Sequence, residues 1–182
     1  MTFKVAVLVG SLRQDSINQK LSHVLEKLAE GKLSFDFLSI GDLPFYNEDL
    51  WNDPPAAVLK MKEQVTNADA VLVIAPEYNR SYPGLVKNAF DWGSRPYGKS
   101  CWSGKPAAIT GTSGGAIGTA VGQAHLRLDV LNLATVVMHA PEAYLQWKPE
   151  VYGDDYSIND EGTRKFLQGF VDSFTKWIEK HR

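Results

Sequence analysis

Val5-Ala-Val-Leu-Val-Gly-Ser-Leu-Arg-Gln-Asp-Ser-Ile-Asn18 decides the fold. Val5 to Val9 is an unbroken apolar run, the pattern of a strand buried on both faces. Gly10 ends it. Ser11, Arg13, Ser16 and Asn18 follow, and a helical pattern starts at Ile17. A strand, a short polar turn and a helix N-terminus make an anion site, because the first helical N–H groups lack internal partners and carry partial positive charge. The Ser11 and Ser16 hydroxyls and the Asn18 amide add hydrogen bonds, and Arg13 can grip phosphate oxygens through two N–H groups. The turn matches neither G-x-x-x-x-G-K-S/T nor G-x-G-x-x-G. A pyrophosphate needs bare backbone, whereas a turn lined with hydroxyls suits one terminal monophosphate.

Outward from this turn the chain alternates strands and helices. The pattern predicts strands at residues 4–9, 33–40, 70–75, 106–110 and 134–139. It predicts helices at about 17–30, 56–67, 85–94, from the glycine turn at 111–118 to 132, and 160–180. Residues 41–55 read as a packed aromatic loop and 141–159 as irregular. On the last helix Phe166, Phe170, Phe174, Trp177 and Ile178 form the expected inward face. Five alternating strands and helices argue for an α/β fold with a parallel sheet covered on both sides. The flavodoxin-like order 2-1-3-4-5 puts the ends of strands one and three at the switch point where ligands bind.

Three polar loops then meet at one edge. The first is the phosphate turn. The second, Pro76-Glu-Tyr-Asn79, offers peptide groups, a phenol and an amide that can read the rim of a flat heterocycle. The third, Thr112-Ser-Gly-Gly115, lets a ligand approach closely and precedes a helix, so its N–H groups favour negative charge beside it. A phosphate, a planar heterocycle and a place for developing negative charge together describe FMN.

Whole-chain properties bound the alternatives. The 182 residues suit one domain, 1–182, with a full core. The net charge of −2 gives no sign of nucleic-acid binding. With no signal-peptide pattern or long apolar span, the expected location is cytoplasmic, without a membrane partner. The single cysteine, Cys101, precludes an internal disulfide and a cysteine-based zinc site, and the four histidines form no metal-binding pair, so no metal is expected. Cys101 reads as a packing residue.

Gly10-Ser-Leu-Arg-Gln-Asp-Ser-Ile-Asn18 resembles the G-S-L/I/V-R-x-x-S-x-N signature of NADPH-dependent FMN reductases. Pro76-Glu-Tyr-Asn79, Ser81, Pro83-Gly84, Lys87-Asn88 and Asp91-Trp92 resemble its second signature, P-E-Y-N-x-S-x-P-G-x-L-K-N-x-x-D-W. The likeness covers residues 4 to about 142, nearest to the bacterial quinone and chromate reductases, which include azo-dye reducers. Leu85-Val86 departs mildly from the pattern. The resemblance implies a flavodoxin-like fold, FMN as cofactor, and hydride transfer from NADPH or NADH through FMN to a quinone, chromate or azo compound. It implies a homodimer or homotetramer with the flavin near the subunit interface. By position Ser11, Arg13, Ser16, Ile17 and Asn18 would hold the FMN phosphate. Pro76, Glu77, Tyr78 and Asn79 would contact the isoalloxazine, and Ser113, Gly114 and Gly115 would lie by its pyrimidine end. Arg95, after the third helix, would meet an anionic substrate at a neighbour's flavin. No side chain is required as acid or base, so no catalytic residue is expected.

Two rival functions remain open at this point. Gly111-Thr-Ser-Gly-Gly115 matches G-x-S-x-G, which would make Ser113 a hydrolase nucleophile with Asp129 and His139 as the available partners. A flavodoxin-type electron carrier would share the fold, but such carriers often present strongly acidic surfaces, unlike a chain of charge −2.

Overall fold

The computed structural model describes residues 2–182. Strand β1 (Phe3–Val9) is paired on both sides, with β2 (Leu33–Phe37) and β3 (Ala70–Ile74). β4 (Pro106–Ser113) joins the far side of β3. Beyond β4 lie two short strands in line, β5 (Val136–Val137) and β6 (Ala143–Gln146). All pairs are parallel and the order is β2-β1-β3-β4-β5, with β6 also on β4. Helices α1 (Ile17–Leu28), α2 (Ala56–Thr66), α3 (Gly84–Ser94), α4 (Ala120–Asn132) and α5 (Glu161–His181) cover the sheet. The flavodoxin-like order expected from the sequence is present.

The continuous apolar strands are explained by two cores. Val5 and Val7 of β1 face one of them, with Leu21, Val24 and Leu25 of α1 and Leu167, Phe170 and Phe174 of α5. Ala6 and Leu8 face the other, with Val58 and Met61 of α2, Phe90 and Trp92 of α3, and Leu126 and Val130 of α4. Each large aliphatic or aromatic side chain so buried contributes roughly 1.5–3 kcal/mol before ordering costs. Asp160 caps α5, its Oδ2 accepting from the Thr163 N–H at 2.7 Å.

Several expected boundaries are corrected. β2 stops at Phe37, and residues 38–55 carry two 3₁₀ turns, Ile40–Asp42 and Glu48–Asn52. β4 runs on through Gly111, Thr112 and Ser113, because these pair with β6 in a segment expected to be irregular. The predicted fifth strand shrinks to Val136–Val137. Pro141 has no N–H to give a ladder, and it lies in the gap between β5 and β6. On α5, Phe166 is exposed, and Leu167 and Val171 complete the buried stripe instead.

Candidate functional site

The ends of β1, β3 and β4 are stitched level. Gly10 N–H donates to Ile74 O at 2.9 Å, and Ala75 N–H donates to Thr110 O at 3.0 Å. Gly111 is required where these ends crowd together, since a Cβ there would fall 2.0 Å from the Ala75 carbonyl oxygen. The three following loops enclose an open cleft of about 210 Å³. Ser11, Arg13, Ser16, Ile17 and Asn18 form one wall, Pro76, Glu77 and Tyr78 a second, and Thr112, Ser113 and Gly114 a third. Of the residues expected there, Asn79 and Gly115 flank the lining without forming it, and Arg95 is elsewhere.

The first wall is built for an anion. Ser16 caps α1, its Oγ accepting from Gln19 N–H at 3.4 Å. Ser11 is a buried residue whose hydroxyl makes no side-chain hydrogen bond among the described residues, and the exposed Arg13 guanidinium has no protein partner there. A hydroxyl and a cation without protein partners, at a helix N-terminus, fit a terminal phosphate.

Asn18 has a different principal task. It is 2% exposed, and its Nδ2 donates to Thr112 O while its Oδ1 accepts from Thr112 N–H, both at 2.9 Å. Peptide groups along a parallel strand point alternately to either neighbour. Ser113 O turns toward the β6 side, where it accepts from Trp147 N–H. Thr112 turns the other way, where β3 has already ended at Ile74. The Asn18 carboxamide takes the place of the missing strand and ties the first loop to the third.

The second wall is a tight turn. Tyr78 N–H donates to Ser81 O at 2.8 Å and Ser81 N–H to Tyr78 O at 2.9 Å. Between them Asn79 and Arg80 both have left-handed backbone, φ 50° and 64°. Asparagine tolerates this conformation, whereas for arginine it costs about 1–2 kcal/mol. Glu77 is turned away from solvent, its side chain 7% exposed. Its Oε2 accepts from Gly122 N–H in the first turn of α4 at 2.9 Å, and its Oε1 pairs with Arg80 Nη1 at 3.2 Å. Gly122 is needed for this seat, because a Cβ there would lie 3.2 Å from Ser81 O and 3.3 Å from Glu77 Cγ. Arg80 and Gly122 were not singled out by the sequence. Arg80 stands at the variable position of its signature, and only the fold brings Gly122 to Glu77.

The hydrolase triad is not assembled. Ser113 Oγ donates to the carbonyls of Gly118 and Gly115. Asp129 is bound by the Tyr82 hydroxyl, and burial raises its pKa. His139 packs on Trp177. Burial likewise pushes the Cys101 thiol up to about 11, which keeps it protonated and unreactive at neutral pH. Among the described residues no cluster of side chains could hold a metal ion, and no helix is long and apolar enough to cross a membrane.

Arg95 lies at the opposite edge of the sheet. α3 starts beside the cleft and runs back, and Arg95 is its C-cap. It borders a separate groove of about 530 Å³ with Tyr97 and Leu133. Lys62 holds this corner, its Nζ donating to the carbonyls of Gly93, Arg95 and Lys99 at 2.9, 2.5 and 2.9 Å. Partial burial lowers the Lys62 pKa.

Comparison with known proteins agrees with this geometry. Residues 3–148 match the NADPH-dependent FMN reductase family. A 2-hydroxy-1,4-benzoquinone reductase of a Burkholderia species is 48% identical over the whole of both chains. A quinone reductase of Pseudomonas putida is 45% identical over 99% of this chain and 97% of its own. Among solved structures, FerB of Paracoccus denitrificans, a flavoenzyme NAD(P)H:(acceptor) oxidoreductase, superposes with a TM-score of 0.98 at 61% identity, covering 98% of each chain. The fold, the anion-suited helix N-terminus and these relatives converge: the chain belongs to the NADPH-dependent FMN reductase family, flavoenzymes that use FMN and NAD(P)H.

Proposed function

We propose that this enzyme is a quinone reductase whose residues 1–182 fold as one domain, and that it passes hydride from NADPH or NADH through FMN to a quinone in two-electron, ping-pong turnovers. The observation that carries this reading is the cleft in which a hydroxyl and a guanidinium at the α1 N-terminus, without partners among the described residues, face two further loops. When bound, FMN supplies the hydride chemistry. The chain's own residues bind and orient it. Ser11, Arg13, Ser16 and Ile17 hold the phosphate, with the remaining Asn18 amide hydrogen behind them. Pro76, Glu77, Tyr78 and Asn79 border the ring, and Ser113, Gly114 and Gly115 lie at its pyrimidine end, where N–H groups before α4 favour negative charge. Chromate and azo compounds are further oxidants of this reading, a homodimer or homotetramer its assembly, and the cytoplasm its location.

The purified protein should contain one non-covalent flavin per chain, and heat should release it as FMN. Initial rates with NAD(P)H and a quinone should give parallel double-reciprocal lines. FAD or a colourless protein would refute the cofactor assignment, and intersecting lines would refute the ping-pong order.

Arg95 is too far along α3 to reach the cleft of its own chain, so its proposed role needs a second subunit. There it would receive the phosphate of the nicotinamide nucleotide or an anionic oxidant. Arg95→Ala should then raise KM for NADPH and chromate several-fold and spare a neutral quinone, and it should flatten the salt dependence of the anionic substrates. Equal changes for neutral and anionic substrates would leave Arg95 as a helix C-terminal cation only.

A further inference from the structure

The cleft contains a charge that works against its own chemistry. Hydride from NAD(P)H delivers two electrons and one proton, so the bound flavin ring gains one negative charge unless a second proton follows from water. Glu77 lines the cleft, and its side chain is only 7% exposed. A carboxylate kept from water beside that ring disfavours the reduced cofactor, because Coulomb repulsion is strong where water cannot screen it. Two contacts oppose this. The α4 N-terminus meets Oε2 through Gly122 N–H, and Arg80 meets Oε1. The Gly122 contact is fixed main chain. Arg80 is a side chain, 67% exposed, held against Glu77 from a left-handed backbone position that arginine adopts at a cost.

We propose that the Glu77–Arg80 pair sets the reduction potential of the bound FMN, with Arg80 masking the Glu77 charge. The inference rests on the placement of FMN in this cleft. The turn at Tyr78–Ser81 is then more than a rim for the ring. It carries the counter-charge, and the substituent at position 80 adjusts the driving force toward the oxidant without touching the phosphate cradle. Glu77 and Arg80 are positioning residues in this account, since neither needs to exchange a proton or an electron.

The test is a redox titration of the FMN-bound protein, together with the dissociation constants of oxidised and reduced FMN. A unit charge acting across a partly screened cleft changes such an equilibrium by roughly three- to tenfold. Arg80→Ala should weaken the binding of reduced FMN relative to oxidised FMN by about that factor. For a two-electron couple this is a midpoint fall of about 15–30 mV. Glu77→Gln keeps a carbonyl for Gly122 N–H and should shift the midpoint in the opposite direction. Arg80→Lys retains the charge and should stay within about twofold of the parent ratio. Loosening of the loop alone would weaken both redox forms equally and leave the midpoint in place, which would overturn the proposal, as would shifts of the same sign in Arg80→Ala and Glu77→Gln. Failure of the parent protein to bind FMN would instead defeat the cofactor placement on which the proposal rests.

Discussion

Arg13→Ala should bind FMN about ten- to hundredfold more weakly than the parent protein, with no loss of fold. A charge-assisted contact to phosphate is worth roughly 1.5–3 kcal/mol, and each 1.4 kcal/mol is about a factor of ten in affinity. Arg13 is exposed and has no protein partner among the described residues, so its removal leaves no group in the chain unsatisfied. The apoprotein should therefore unfold at the parent temperature, while the stabilisation given by added FMN should shrink. Arg13→Lys should fall between, since it retains the charge without the paired N–H fork. Fluorescence titration with FMN reads the affinity, and an unchanged dissociation constant would place the phosphate elsewhere.

Asn18→Ala should do the reverse, destabilising the apoprotein before any cofactor is added. It leaves the N–H and C=O of Thr112 without their partners, and Thr112 is 1% exposed. An unsatisfied buried polar group costs about 1–3 kcal/mol, so the pair costs roughly 2–6 kcal/mol. At this chain length that is a fall in Tm of about 4–24 °C. Asn18→Asp separates the two bonds, because a carboxylate still accepts from Thr112 N–H but meets Thr112 O with repulsion. It also brings negative charge to the phosphate cradle, so FMN affinity should drop along with stability. If thermal unfolding of apo Asn18→Ala matches the parent, Asn18 does not replace the missing strand.

The contrast between these two residues shows how far the sequence could be read. Arg13 stands in the loop before α1 and Asn18 in the first turn of α1, five residues on, and both carry groups that suit phosphate. Nothing local distinguishes a side chain aimed at a ligand from one aimed at a peptide 94 residues away. The buried strands β1 and β3 were legible because their runs are apolar throughout, and their parallel order followed from alternation with helices. β6 and the end of β4 were missed together for a single reason. Ala143–Gln146 is four residues long and half polar, and Gly111–Ser113 reads as a glycine turn. Each is a strand only because the other lies beside it. Phe166 continues the four-residue spacing of Phe170, Phe174 and Ile178, but each such step drifts by about 40° around the helix, which carries Phe166 off the buried stripe. One residue along a helix is a rotation of about 100°, and Leu167 occupies the inward position instead.

The interruption between β5 and β6 matters outside the molecule. The outermost position beyond β4 is filled by two residues, a gap, then four. A sheet border of that kind presents no continuous row of N–H and C=O groups onto which a foreign strand could zip. At the other border β2 is only five residues long and carries Asp36, which pairs with Lys4. Short, charged or broken margins work against strand-by-strand growth into fibrils, the hazard that an all-parallel sheet with a strongly apolar interior carries at its edges.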